Sequence, residues 1–278
     1  MHSILKKIFT WTADEAIQKI LEIHAKKGFC IVDYLYFAQI GGQRLFDPQD
    51  KKVEPERFKN VLLPDYKTID IHAVRAAYKQ AIQHADIVLP DGIALQIFYF
   101  LGYRKRLHNL NGTDFCPVFL EHVHKQHKMN LILYGTYPDL LAQTKKYLEK
   151  KWYTVGYAQD GYGNLDRKKV EENLNPQAIN VLLVARSNIQ YPVQEIRAQA
   201  NQDMIKVNNL IVLNQWWTFD FRVGKQKRAP KIVRSLKLER LRRLVITPQR
   251  NNYAAVKKTR YTLFFFKYIF SYLLLKKE

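Results

Sequence analysis

Hydrophobic residues fall into two kinds of segment along the chain. Short continuous apolar runs predict buried strands at residues 29–32, 61–63, 87–89, 130–134, 153–157, 180–185 and 210–213. Apolar residues spaced three or four apart predict helices at residues 12–27, 68–84, 93–102, 117–127, 138–150, 168–174 and 193–202. Because the two kinds alternate, we expect an α/β fold whose mostly parallel sheet carries helices on both faces.

Polar residues that directly follow the predicted strands are the first candidates for chemistry, because ligands collect at the carboxyl edge of a parallel sheet. Asp91 follows an apolar strand and precedes Gly92. It can accept a proton from a hydroxyl nucleophile, or it can cap the helix that begins at Ile93. Asp65 has a similar position, with capping or turn formation as its alternative.

Gly135 lies between a predicted strand and a predicted helix, where backbone N–H groups can bind a phosphate. A tight strand-to-helix connection is the alternative. The chain has neither a GxGxxG nor a GxxxxGK[ST] motif, so no dinucleotide or P-loop site is indicated. The spacing of the histidines does not match a zinc motif, and we expect no metal or cofactor.

Composition indicates a folded protein, and charge indicates an anionic partner. Of 278 residues, 47% are hydrophobic and 25% are charged. Two cysteines fit neither a disulfide framework nor a zinc site, which favours a reducing cytosolic setting. Residues 222–278 carry +15 of the net charge of +20. Nucleic acid, anionic lipid and a phosphorylated lipid substrate all satisfy this charge.

The basic end of the chain predicts two regions, an α/β core at residues 1–221 and an appendage at residues 222–278. Residues 261–275 are apolar except for Lys267 and the polar Thr262 and Ser271. This run is shorter than the roughly 20 residues that span a bilayer, so we expect it to lie on a membrane as an amphipathic helix. No secretory signal is evident at the N-terminus, which favours a cytoplasmic location.

An ordered set of motifs resembles the WecG/TagA/CpsF family of bacterial glycosyltransferases (glycosyltransferase family 26). The resemblance runs from about residue 12 to about residue 253 and includes a Pro-Asp-Gly segment at Asp91. Any single motif is weak, but the ordered series is specific. The motifs are ADIVLPDGI at 85–93, NGTDF at 111–115, PVQE at 192–195, TFDF at 218–221, KRAP at 227–230 and LERL at 238–241.

The resemblance implies a Rossmann-like fold and an inverting, metal-independent transfer of a sugar. The donor would be a UDP-sugar carrying N-acetylmannosamine, its uronic acid or a glucose-like sugar. The acceptor would be an undecaprenyl-diphosphate-linked sugar at the cytoplasmic face of the membrane. Such reactions belong to the biosynthesis of cell-surface polysaccharides, including teichoic acid and exopolysaccharide. Homo-oligomers are compatible with the resemblance.

The resemblance also implies roles for individual residues. Asp91 falls on the family's proposed base, and one carboxylate is what deprotonation of an acceptor hydroxyl requires. Further residues match segments that line the nucleotide-sugar cleft; they are Asn111, Thr113, Asp114, Gly135, Gln194 and Glu195. For Thr113 and Asp114, capping of a helix that starts near Pro117 is the alternative.

Two departures from the family pattern affect the donor site. Asp65 stands where the family has an amide that contacts sugar, which predicts a changed donor preference. Trp216 and Trp217 replace a Gly-Gly pair, and two indoles there either close the cleft or provide a stacking surface. A catalytically impaired relative that binds nucleotide sugar or scaffolds polysaccharide assembly is therefore the alternative function.

The arginines of the appendage give its charge a specific role under this resemblance. Arg240 and Arg243 can bind the acceptor diphosphate or anionic headgroups, while neighbouring aromatic residues enter the interface. The remaining alternative is a nucleic-acid-binding protein that uses the same basic residues. We expect no nucleic-acid partner, because the motif series favours the membrane.

Overall fold

The computed structural model describes residues 8, 12–36, 79–161, 164–185, 201–215, 219, 223, 266 and 270. The predicted strand at 61–63 and most of the predicted helices at 68–84 and 193–202 lie outside the described residues. So does nearly all of the appendage at 222–278.

The described strands form one parallel sheet in the order β2-β1-β6-β5-β3-β4. This confirms the prediction of a mostly parallel, Rossmann-like sheet. β1, β2 and β4 end two or more residues later than their apolar runs predicted. The strand bounds are β1 Cys30–Tyr36, β2 Ile87–Asp91, β3 Met129–Gly135, β4 Thr154–Gln159, β5 Ile179–Ala185 and β6 Leu210–Asn214.

Helices connect these strands and cover the sheet. Their bounds are α1 Ala13–Lys27, α2 Ile93–Tyr103, α3 Gly112–Gln126, α4 Pro138–Lys150, α5 Arg167–Glu172 and α6 Gln202–Val207. Residues 79–84 are also helical. Among the described residues, no helix has both the length and the hydropathy of a membrane span.

Local sequence signals explain where several helices begin. Thr12 and Glu15 form a capping box: Glu15 N donates to Thr12 Oγ1 at 3.4 Å, and Glu15 Oε2 accepts from Thr12 N at 2.7 Å. α4 begins with Pro138, because the first helical position does not need the N–H that proline lacks. Both starts were predicted.

The predicted start of α3 near Pro117 is wrong. The helix begins at Gly112, because the Asn111 side chain caps it by accepting a hydrogen bond from Asp114 N at 3.0 Å. Pro117 consequently lies inside the helix. The helix Gln202–Val207 was not predicted.

Two hydrophobic clusters lie on opposite faces of the sheet. The first contains buried residues of α2, α5, α6 and the helical residues 79–84. The second contains those of α1, α3 and α4, together with Phe219 after β6. Residues 79–84, which precede β2, pack on the first face through Ile82, whereas Phe219, which follows β6, packs on the second. The first described helical residues after β1 and after β6 thus lie on opposite faces, which is the arrangement of a switch point at the crevice between the carboxyl ends of β1 and β6, where open α/β sheets bind ligands.

Candidate functional site

Asp91 is the last residue of β2 and is partly exposed at the carboxyl edge of the sheet. The N-cap of the following helix is Gly92, with φ 92°. Asp91 therefore precedes the cap position, and the alternative that it is the N-cap of α2 is wrong. Ile87 and Leu89 of the same strand belong to the second cluster, so the alternation of β2 places Asp91 on the second face.

The N-terminus of α3 is held by a compact cluster of hydrogen bonds. Asn111 Nδ2 donates to Asp114 Oδ2 at 2.7 Å, and Thr113 Oγ1 donates to Asn111 Oδ1 at 2.6 Å. The three side chains are half-buried. Thr113 and Asp114 lie in the first turn rather than at the cap, so the capping alternative for these two residues is wrong. The structure thus brings together Asn111, Thr113 and Asp114, and their role in a nucleotide-sugar cleft stays a prediction.

Tyr34 of β1 links this helix terminus to Asp91. Its side chain is 1% exposed, and a Cβ built on Gly112 would lie 3.4 Å from its Cζ. Burial raises the pKa of the Tyr34 phenol well above its ordinary value, and Cys116, Asp91 and Asp33 raise it further. Since nearby negative charge disfavours a phenolate, Tyr34 stays protonated and lies close to the Asp91 carboxylate.

A second polar pair lies on the other face of the same crevice. Asn214, at the end of β6, donates from Nδ2 to Asp33 Oδ1 of β1, and both residues are buried. Burial raises the pKa of Asp33 to about 7, while the hydrogen bond from Asn214 acts in the opposite direction. Asp33 is therefore a carboxyl group that changes its charge near neutral pH.

Several buried polar atoms in this crevice have no hydrogen-bond partner among the described residues. They are Tyr34 Oη, Asn214 Oδ1 and both side-chain atoms, Nε2 and Oε1, of Gln215. Each such atom costs about 1–3 kcal/mol when it is shielded from water without a partner. Folded proteins satisfy most of their buried polar groups, so a group of unsatisfied atoms at one place calls for a functional explanation.

Gly135 ends β3 with φ 128° and is followed by Thr136 with φ 61°. A Cβ at position 135 would lie 2.7 Å from the backbone carbonyl of Ala185 in β5. Only glycine fits here, so the tight connection has a structural cause whether or not a phosphate binds there. With strands roughly 4.8 Å apart, Gly135 and Asp91 lie about 19 Å apart across the sheet.

The remaining predicted site residues lie outside the described residues. They are Asp65, Gln194, Glu195, Trp216, Trp217, Arg240 and Arg243. The sequence pattern did not point to Tyr34 or Asp33; the signal available was a polar residue inside an apolar strand. In the part of the chain that the structure describes, no group of three or more His, Cys, Asp or Glu side chains is placed to hold a metal ion.

A comparison of the sequence with known protein families gives a match that covers most of the chain. The sequence model of the WecG/TagA/CpsF family of glycosyl transferases matches residues 37–274. The match begins later and extends further than the motifs indicated, and it includes Asp91, the N-terminus of α3 and Gly135. It implies a glycosyltransferase of cell-surface polysaccharide biosynthesis, with a nucleotide-sugar donor and a lipid-linked acceptor. The resemblance seen in the motifs is confirmed, and the chain belongs to the WecG/TagA/CpsF family of glycosyl transferases.

Proposed function

We propose that this chain transfers a sugar from a UDP-sugar to an undecaprenyl-diphosphate-linked acceptor, with inversion at the anomeric carbon and without a metal ion. The transferred sugar is N-acetylmannosamine, its uronic acid or a glucose-like hexose. One observation carries the proposal: Asp91 is a partly exposed residue at the carboxyl edge that lies before the N-cap position of its helix. Family membership provides the reaction class.

The proposed step is a single displacement. Asp91 takes the proton of the acceptor hydroxyl as that oxygen bonds to the anomeric carbon of the donor sugar. The bond from this carbon to the β-phosphate oxygen breaks at the same time, and UDP leaves with the electron pair. A diphosphate is already a good leaving group, so one base at the attacking oxygen is the main catalytic requirement.

The span of the sheet edge fits an extended donor. If the sugar lies beside Asp91, the nucleoside end extends across β1, β6 and β5 toward Gly135, over about 19 Å. An extended UDP-sugar has a comparable length. In this arrangement Gly135 lies near the nucleoside rather than the reacting carbon. Asn111, Thr113 and Asp114 lie on the same face as Asp91, beside the reacting end.

Replacement of the base tests the mechanism. We expect Asp91→Asn to lower the rate of UDP release in the presence of a polyprenyl-diphosphate-linked acceptor by about 10²–10⁴-fold, with donor affinity nearly unchanged. Asp86→Asn is the matched control, because Asp86 directly precedes the amino end of β2 and forms an ion pair with Lys27 at 2.6 Å. A fully active Asp91→Asn enzyme would exclude this base.

The same measurement separates the alternative function. An impaired relative would bind UDP-sugars without transferring them in the wild-type form. If binding requires the replacement of both Trp216 and Trp217 by glycine, the indoles fill the donor cleft. Transfer by the unmodified chain would rule out both outcomes.

We further propose that the appendage docks the enzyme on the cytoplasmic face of the membrane. Among its described residues, Phe266 and Phe270 are helical and are 62% and 66% exposed. Their spacing places both rings on one side of a helix, in a region of strong positive charge. Exposed aromatic rings beside basic residues suit an anionic lipid surface.

Vesicle binding tests the docking proposal. Deletion of residues 261–278, or Phe266→Ser together with Phe270→Ser, should release the protein from phosphatidylglycerol vesicles. Trp152→Ser is the matched control, because Trp152 is an 85% exposed aromatic residue of the core. Unchanged vesicle binding by the deleted chain would remove the appendage from the proposal. Salt-sensitive RNA binding in its place would favour the nucleic-acid alternative.

A further inference from the structure

Tyr34 and Gln215 lie side by side in the crevice between β1 and β6. The parallel register pairs Val32 with Leu213, so its continuation places Tyr34 beside Gln215. The backbone N of Gln215 donates to Val184 O at 2.6 Å, which extends the ladder of β6 by one residue. Leu213 belongs to the second cluster, so alternation places Gln215 on the same face as Tyr34 and Asp91.

Both side chains carry hydrogen-bonding atoms that the described residues do not satisfy. Tyr34 is 1% exposed and Gln215 is 0% exposed, and neither Tyr34 Oη nor the Gln215 amide atoms have a partner among the described residues. A phenylalanine and a leucine of similar shape would fill the same space without this cost. The polar atoms therefore reduce the stability of the ligand-free protein unless something else binds them.

We propose that Tyr34 and Gln215 form a polar floor, adjacent to Asp91, that binds a hydroxyl or acetamido group of the sugar being transferred. The inference rests on the proposed function, since it assigns these residues to the donor of that reaction. Tyr34 lies outside the residues that the family model matches, and Gln215 lies inside them.

The chemistry of the unsatisfied atoms selects the sugar over the diphosphate. The Gln215 amide presents an NH₂ group that donates and a carbonyl oxygen that accepts, whereas a diphosphate oxygen only accepts. A sugar hydroxyl or acetamido group both donates and accepts, so it can pair with either end of the amide. The position agrees with this choice, because β1 is adjacent to β2 and β6 is adjacent to β1, which places both strands toward the reacting end of the donor.

Tyr34 contributes a neutral donor to this floor. Burial and the neighbouring Asp91 hold the phenol in its protonated form, so its O–H is available to a sugar oxygen. A neutral phenol can donate to a neutral sugar hydroxyl. A site that makes this hydrogen bond discriminates strongly against a sugar that lacks the hydroxyl. Replacement of these residues should therefore affect the sugar and leave the nucleotide unaffected.

The experiment compares stability with binding in Tyr34→Phe and Gln215→Leu. Thermal unfolding of the ligand-free variants should show an unchanged or higher Tm. Calorimetric titration with UDP should give an unchanged Kd, while titration with UDP-N-acetylmannosamine and UDP-glucose should show about tenfold weaker binding or more for the donor that the wild type binds. Tyr157→Phe is the matched control, because Tyr157 Oη already donates to Gln159 Oε1 at 3.3 Å.

Each contrary result has a distinct meaning. A lower Tm in both ligand-free variants would assign the two side chains to structural hydrogen bonds and overturn the proposal. Equal losses of UDP and UDP-sugar affinity would move the contact to the nucleotide, and unchanged affinity for every probe would remove the floor altogether. If the wild type binds none of the probes, the proposed function is wrong, and the proposed sugar contact, which rests on it, is wrong as well.

Discussion

Buried polar side chains are hydrogen-bonded at the amino edge of the sheet, whereas several at the carboxyl edge have atoms without a partner among the described residues. At the amino edge, Asn180 Oδ1 accepts from Asn130 Nδ2 and from Asn175 N, each at 2.9 Å, and Asn180 Nδ2 donates to Asn175 O at 3.0 Å. Asp86 accepts from Lys27 Nζ at 2.6 Å and from Ile31 N at 2.9 Å. These side chains join the strands to the connections that precede them.

At the carboxyl edge, the described polar side chains of β1 and β6 are only partly satisfied. Asn214 donates to Asp33 but its Oδ1 has no partner among the described residues, and the same holds for Tyr34 Oη and the Gln215 amide. A protein that needed these groups for stability alone would pair them as it pairs Asn180. The difference agrees with the proposal that the amino edge stabilises the fold while the carboxyl edge binds a ligand at some cost in stability.

The largest expected effect concerns Asp33, because its pKa of about 7 lies well above its ordinary value of 3.8. The folded protein therefore holds this proton more tightly than the unfolded chain between these two pH values. The stabilising contribution is complete below about pH 4 and is lost as the pH rises through 7. The difference amounts to about 4 kcal/mol at most in the free energy of unfolding.

Asp33→Asn should remove this pH dependence. An asparagine carries no charge, and its NH₂ group can donate a hydrogen bond to Asn214 Oδ1. Urea unfolding from pH 4.5 to 8 should show that the variant gains stability relative to the wild type as the pH rises. Asp139→Asn, at an exposed position in the first turn of α4, is the control. Parallel pH profiles of wild type and Asp33→Asn would contradict a buried carboxyl that titrates near neutral pH.

Sequence analysis predicted the fold better than the site because most fold signals are local. Pro138 marks the start of α4, and the capping box at Thr12 marks the start of α1, within a few residues of each signal. β1 was predicted too short because Asp33 interrupts its apolar run, and α3 was predicted too short because Pro117 resembled a first helical position.

The site needed information that the local pattern does not contain. Asp91 became a candidate because it directly follows an apolar run. Tyr34, in contrast, looks like an ordinary strand residue until the register of β1 and β6 brings it beside Gln215, far away in the chain. Strand order and register are non-local properties, so unsatisfied atoms such as Gln215 Nε2 become visible only in the folded chain.

The smaller expected effect tests the amino edge. Asn180 is 3% exposed, and its Oδ1 accepts from Asn130 Nδ2 and from Asn175 N. Asn180→Ala removes this acceptor from both donors. We expect a loss of about 2–3 kcal/mol in the free energy of unfolding, measured by urea unfolding, with unchanged UDP-sugar affinity of the folded fraction. Asn208→Ala, which removes a half-buried side chain bonded to Met204 O at 2.8 Å, is the control and should cost about 1 kcal/mol. A specific loss of donor affinity in Asn180→Ala would show that the amino edge also takes part in binding, and the contrast between the two edges would no longer hold.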